Sequence, residues 1–162
     1  MEQKGNKTKW IIVSLLLVTC LAVGITIWAL FFRQDEVVLT PDHAPKEEEM
    51  VEKIPNDSGE KMESPEGGGS VSLTYSENVT ISLKDEKAQL LFANPGKSNQ
   101  DMVIQILIED TVVVQSGTLK PGNQVTALNL LDGVSKKLSI GGYEGKFNIL
   151  YYDQSSGERA IE

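Results

Sequence analysis

Met102-Val103-Ile104-Gln105-Ile106-Leu107-Ile108 is the longest run of strand texture in the chain, and its reading decides the fold. Successive side chains of a strand point to opposite faces, so Met102, Ile104, Ile106 and Ile108 share one side of a sheet. The same texture continues in both directions. Upstream, Val79, Ile81 and Leu83 alternate with Thr80 and Ser82, and Ala88, Leu90 and Phe92 share a face. Downstream lie Val112 and Val114, then Val125, Thr126, Leu128 and Leu130, and then Phe147, Ile149 and Tyr151 alternating with Lys146, Asn148, Leu150 and Tyr152. Turn chemistry separates these runs. Asn94-Pro95-Gly96, Pro121-Gly122, Asp132-Gly133, Gly141-Gly142 and Ser156-Gly157 supply fixed or positive φ where the chain must reverse, and Glu109-Asp110 is placed for a tight hairpin. About seven short strands with no amphipathic helix predict an all-β sandwich over residues 71–162.

Leu138-Ser139-Ile140-Gly141-Gly142-Tyr143 has the Leu-x-x-Gly-x-Tyr form of a tyrosine corner, with a strand predicted over 145–152. Glycine lets the chain bend, and the hydroxyl satisfies a backbone group while the ring packs inward. At this corner the chain resembles immunoglobulin-like and fibronectin type III-like domains, which implies an immunoglobulin-like β-sandwich. It departs from antibody-type domains in having one Cys and in carrying both Trp residues near the N-terminus. The layout as a whole is similar to small single-pass surface proteins of Gram-positive bacteria, a likeness carried by residues 92–100 (Phe-Ala-Asn-Pro-Gly-Lys-Ser-Asn-Gln) and 151–158 (Tyr-Tyr-Asp-Gln-Ser-Ser-Gly-Glu). That resemblance implies a full final strand after Ser156-Gly157-Glu158, where Arg159-Ala160-Ile161-Glu162 stand. Two readings follow. Either the last strand is clipped and has no role, or the sheet keeps an open C-terminal edge that templates strand addition from another chain.

Working back from the sandwich, residues 10–32 carry no charged side chain. As a helix they span roughly 35 Å, enough for a hydrocarbon core of about 30 Å. Trp10 and Trp28 fall near its two ends, as interface anchors would. Lys4, Lys7 and Lys9 precede the run, so residues 1–9 are expected to form a cytoplasmic tail and residues 33–162 to face outward. A cleaved signal peptide would have a shorter apolar core and a small-x-small site, which Phe31-Phe32-Arg33 does not offer. Leu17-Val18-Thr19-Cys20 loosely resembles a lipobox, but Thr19 is large for that pattern and apolar residues continue beyond. Cys20 is expected to be an inert small side chain, and with Gly24 it makes a weak small-xxx-small pair.

Charge divides the chain into three regimes: three Lys and one Glu before residue 33, eleven acids against four bases over 33–70, and eleven against eight from 71 onward. The middle stretch holds four Pro, the run Glu47-Glu48-Glu49 and Gly67-Gly68-Gly69. It is expected to be an acidic disordered linker, because it has too little apolar surface to offset its ordering entropy. Pro45 and the acids after it allow only a marginal short helix near residues 46–53. His43 reads as a solvated side chain. A linker of 38 residues would reach roughly 35 Å on r.m.s. average.

The acidic balance argues against nucleic acid as a partner, since phosphate binding needs a basic surface. One Cys and one His exclude a disulfide framework and multi-Cys or multi-His metal sites. No Ser-His-Asp set, Gly-rich phosphate loop or Walker motif occurs in the sequence. Asp85-Glu86 and Glu109-Asp110 read as solvated turn acids. Asp153, Ser155 and Glu158 come nearest to a calcium site, but lack the close alternating acids one needs. Asn78-Val79-Thr80 fits a glycosylation sequon, discounted for a disulfide-free outer domain. Tyr143 and Tyr151 are expected in the core, and Tyr152, of opposite parity, on the surface. The expectation is therefore a non-enzymatic, membrane-anchored extracytoplasmic module that binds or presents to another surface protein, with no cofactor, no metal and no catalytic residue. A structural subunit of a surface, secretion or conjugation assembly is the first alternative, and an enzyme the second.

Overall fold

The computed structural model describes residues 3–31, 39–64 and 69–160, and within the helix the side chains of residues 9–26. Its two units are Met1–Val37 and Val38–Glu162.

The first unit is helix α1 (Gln3–Phe31). Its stretch Lys9–Thr26 has a mean hydropathy of 2.1 and no buried residue, so by length and composition it can cross a membrane. A membrane anchor and a signal sequence both fit that observation. Thr19 and Thr26 return their hydroxyl protons to the carbonyls of Leu15 and Ala22, which lowers the cost of polar atoms in an apolar setting. Lys4 and Lys7, Trp28 as an interface ring, and the residues after the helix up to 38 lie outside the described side chains.

The second unit is two antiparallel sheets. One holds β1 (Val51–Lys53), β7 (Asn123–Asn129) and β4 (Lys87–Asn94) in that order, with β2 (Thr74–Tyr75) and β3 (Thr80–Ser82) sharing the far edge of β4. The other holds β6 (Thr111–Gln115), β5 (Gln100–Ile108) and β8 (Gly145–Asp153). The expected faces meet between them. Ala88, Leu90 and Phe92 from β4 pack with Met102, Ile104, Ile106 and Ile108 from β5, and with Val114, Val125, Leu128 and Leu130. Phe147, Ile149 and Tyr151 close the core from β8. Glu109 and Asp110 form the two-residue hairpin loop, both with positive φ (49° and 60°), as the right-handed twist of the flanking strands requires. Two irregularities were not foreseen. A register shift between Ile106 and Leu107 brings Val113 into the core beside Val114, and another in β4 lies between Gln89 and Phe92.

The linker expectation needs correction. Residues 39–64 are a strap laid along the sandwich, not a free chain. Strand β1 pairs with β7, Val51 opposite Val125, where a disordered chain was expected and a short helix was at most allowed. Ala44 N–H donates to the Gly157 carbonyl (2.8 Å), Arg159 N–H to that of Asp42 (2.8 Å), Thr118 N–H to that of Lys46 (2.8 Å), and Glu48 N–H to that of Thr118 (3.0 Å). Further along, Ile54 N–H reaches the Gly122 carbonyl and Met62 N–H that of Lys97. Composition failed as a guide here because the strap needs no apolar core of its own. It satisfies backbone groups at the sheet edges, and those groups would otherwise be solvated or unpaired. His43 is exposed as expected, but its backbone bridges Glu158. Residues 65–68, with two of the three linker glycines, lie outside the described residues.

The strap also reverses the tyrosine expectation. Parity does put Tyr152 on the outer face of the β5–β8 sheet, yet it is fully buried there with Val103, Leu150 and Ala44. Its hydroxyl donates to the Pro41 carbonyl at 2.9 Å. Tyr143, expected inside, is 44% exposed.

Candidate functional site

The Asn94 amide nitrogen holds the turn beside the strap, while, among the described residues, the buried side-chain oxygens of Asn94 and Asn123 have no hydrogen-bond partner. The fully buried Asn94 amide donates to the carbonyls of Gln100 (3.0 Å) and Leu119 (2.9 Å), tying the end of β4 to the start of β5. Gly96 N–H donates to the Asp57 carboxylate from the strap. That end of the sandwich is closed.

The opposite end is open along β8. On its outer edge, Ala160 N–H donates to the Tyr151 carbonyl (2.9 Å) and Asp153 N–H to that of Glu158 (2.9 Å), an antiparallel pairing centred on Tyr152 and Arg159. Backbone groups in a strand alternate sides, so the N–H and C=O of Gly145, Phe147 and Ile149 face the same edge, while Lys146, Asn148 and Leu150 bond to β5. Among the described residues, nothing pairs with the outward groups of Gly145, Phe147 and Ile149.

A cleft of about 990 Å³ runs beside this edge, between the rims of the two sheets. Val79, Ile81 and Leu83 line one wall, and Phe147 with Leu138 the other. Tyr75 meets Phe147 edge-on, with centroids 5.6 Å apart at 62°, and Phe147 continues to Phe92 at 6.0 Å. Three large side chains stand half or fully in solvent at the rim: Tyr75 (50% exposed), Tyr143 and Ile140 (99%). The corner residues behave as half of the motif. The Tyr143 hydroxyl accepts from Ser139 N–H (3.1 Å) and donates to its carbonyl (3.0 Å), but the ring lies at the cleft mouth and does not enter the core. The signal for the rim was present in the sequence: Ile140, flanked by Ser139 and two glycines, is an apolar residue spent on a turn.

The remaining candidates fall apart as sites. The Asp85 carboxylate accepts from the Ser82 hydroxyl (2.7 Å) and that of Glu86 from the Ser135 hydroxyl (2.5 Å), both exposed. Asp110 pairs with Lys146 at 3.2 Å in open solvent, a contact worth little. Asp153 gathers the Ser155 hydroxyl and the N–H groups of Ser155 and Ser156 on one oxygen, and these bonds hold its carboxyl down to about 2. That is a self-capped turn; the Glu158 backbone joins it, but no second carboxylate does. On the strap, the Glu47 carboxylate 2.9 Å away keeps the Lys120 ammonium above its usual range. Among the described residues, no three His, Cys, Asp or Glu side chains gather as a metal centre would require. Asn78 is exposed in the loop before β3, and Cys20 lies in a shallow helix groove with Leu17, Leu21, Gly24 and Ile25.

Compared with protein families, with curated proteins and with solved structures, the chain matches none.

Proposed function

We propose that the protein is a membrane-anchored, non-enzymatic binding module whose immunoglobulin-like domain works outside the cytoplasm and takes up a protein partner by strand addition at β8. The observation that carries this reading is that, among the described residues, nothing pairs with the outward backbone groups of Gly145 and Phe147, beside an apolar cleft. An extended backbone satisfies such an edge, and alternate apolar side chains fill such a cleft. The immunoglobulin-like assignment is supported by the crossings β4 to β5 and β7 to β8 between sheets, and by the Tyr143–Ser139 bond on the second of them. The anchor and its orientation are supported by the apolar length of α1 and by the Lys residues that precede it.

The docked strap changes how the module would be tethered. Seven residues, 32–38, separate helix α1 from the strap, a contour of at most about 25 Å. Anchoring in a membrane raises effective concentration, so modest affinity would suffice.

A photo-crosslinking residue at Ile140 in the full chain, expressed in cells, tests the binding role. Capture of a protein at Ile140, but not from a control position at Asp85, is the expected result. Equal or absent capture at both positions refutes it. Protease added outside should remove residues beyond 38 and leave the N-terminal tail protected; the reverse pattern refutes the orientation.

A further inference from the structure

We infer that the closed end of the sandwich binds one internal water molecule, held between the side-chain carbonyls of Asn94 and Asn123. Asn94 ends β4, Asn123 begins β7, and the two face each other across that ladder. Phe92 and Val125 face each other in the same ladder and lie in the core. A step of two residues keeps a side chain on the same side of a sheet, so the Asn pair also points inward. Asn94 is 0% exposed and Asn123 2%. Side chains that face each other start from Cβ atoms about 4.5–5.5 Å apart, a gap that one small molecule can bridge. Among the described residues, neither Oδ1 has a hydrogen-bond partner. A buried carbonyl left bare disfavours folding by roughly 5- to 150-fold, so two such atoms side by side call for a donor.

The identity of the donor follows from what the pair lacks. Asn94 cannot supply a proton by turning its amide over. Its Nδ2 already donates to the carbonyls of Gln100 (3.0 Å) and Leu119 (2.9 Å), and a flip would set an oxygen against both. Two carbonyls offer lone pairs and no proton between them. Water gives two protons, one to each oxygen. A cation is the other species that carbonyls hold, but a hard cation such as calcium takes six to eight oxygens, carboxylates among them. The Asp57 carboxylate is committed to Gly96 N–H, and among the described residues no three acidic, His or Cys side chains gather. A neutral donor suits an uncharged pair.

The surrounding backbone gives the water rigid partners. Asn94 stands just before Pro95-Gly96 and Asn123 just after Pro121-Gly122, so the pair joins the bases of two turns. Gly122 N–H donates to the Asn94 carbonyl (2.7 Å) and Asn123 N–H to that of Lys120 (3.2 Å). The Leu119 carbonyl accepts from Met102 N–H (3.0 Å) as well as from Asn94. The Asn94 amide already ties β4 to β5. Through the water the tie extends to β7, and one polar network then joins both sheets inside the core. Waters of this kind make two to four hydrogen bonds and are costly to remove.

Full-length protein in mild detergent tests the site by magnetic relaxation dispersion of the water signal, which counts water molecules held for longer than the protein tumbles. Asn123→Leu keeps the shape of the side chain and removes its polar atoms. Expected is the loss of about one long-lived water relative to the unsubstituted chain, with a folding constant lower by about tenfold, since Asn94 Oδ1 is left with a poorer partner. The water count decides. A lost water upholds the site, and an unchanged count overturns it. In the second case the folding constant gives the reason. A tenfold fall means that the Asn123 amide donates directly to Asn94 Oδ1, and an equal or higher constant means that both carbonyls are dry. If Asn123→Leu does not fold, the unsubstituted chain decides. Nuclear Overhauser transfer from water to the Asn94 side-chain amide protons, both bonded and slow to exchange, is then expected, and its absence overturns the site.

Discussion

Gly117→Ala adds one methyl group and tests whether the strap belongs to the folded domain. A Cβ at this position would stand 2.7 Å from the Lys46 carbonyl oxygen, 2.8 Å from Glu48 N and 2.9 Å from Glu48 Cα. All three are strap backbone, so no flexible side chain can yield. The strap must lift, and three bonds go with it: Thr118 N–H to Lys46 O (2.8 Å), Glu48 N–H to Thr118 O (3.0 Å) and Gly117 N–H to Glu48 Oε2 (2.7 Å). At about 0.5–1.5 kcal/mol each, the loss is about 1.5–4.5 kcal/mol. Alanine also narrows the unfolded ensemble, which returns about 0.4–1 kcal/mol, since Gly117 does not occupy the left-handed region. The net effect is a destabilisation of about 0.5–4 kcal/mol, or a melting midpoint lower by about 2–16 °C. Circular dichroism melts of the full chain read it, with faster exchange of the Glu48 and Thr118 amides as the local signature. Gly141→Ala is the control, because nothing lies within 4 Å of its Cβ. If the strap were a loose linker, both variants would be neutral or slightly stabilised. An unchanged or raised midpoint for Gly117→Ala refutes the docking.

Asn94→Ala should cost about 1–3 kcal/mol, because it removes one buried and one part-buried bond, offset in part by the loss of Asn94 Oδ1, a buried acceptor with no partner among the described residues; a loss under about 0.5 kcal/mol in thermal denaturation sinks its role as a tie between sheets. Tyr152→Phe should cost about 1 kcal/mol at neutral pH, through the lost bond to Pro41. Burial pushes the Tyr152 phenol above its ordinary 10.0, so the folded state keeps its proton longer than the unfolded one. That contribution is complete below pH 10 and fades above it, and Tyr152→Phe should flatten the alkaline limb of the stability profile. Asp153, held near 2 against an ordinary 3.8, stabilises the fold above pH 3.8 and loses that contribution as pH falls toward 2. In Ser155→Ala its carboxyl should titrate closer to 3.8 by NMR, and an unshifted midpoint would dismiss the capped turn.

Period-2 alternation carried the sandwich because each strand had one face for the core. Met102 to Ile108 and Phe147 to Tyr151 could be placed from their own spacing, and Glu109-Asp110 from its position between apolar runs. The strap was illegible for the converse reason. Residues 39–64 are held largely through backbone groups, with scattered side-chain contacts from Glu47, Glu48 and Asp57, and a backbone hydrogen bond from Ala44 or Glu48 leaves no mark in side-chain pattern. Once the strap was missed, Tyr152 was misplaced, since its cover comes from Pro41 and Ala44, more than a hundred residues earlier. Of the candidate site, the idea of an unfilled edge was legible near the C-terminus. Its position on Gly145, Phe147 and Ile149 was not, because that required knowing which side of β8 the segment around Arg159 takes.

The strap is also the part of the domain nearest in sequence to helix α1, and this gives it a mechanical role. Any pull arriving along the chain from before residue 39 meets the carbonyls of Leu39 and Pro41 first, then Asp42 and Ala44, each held by one or two bonds. Peeled from that end, bonds spaced one after another along the chain would part in succession, like a zip, each step needing little force. Freeing residues 39–54 would pay out roughly 55 Å of chain before tension reached β4 or β5. The segment would act as a fuse, yielding under load so that the sandwich keeps its shape.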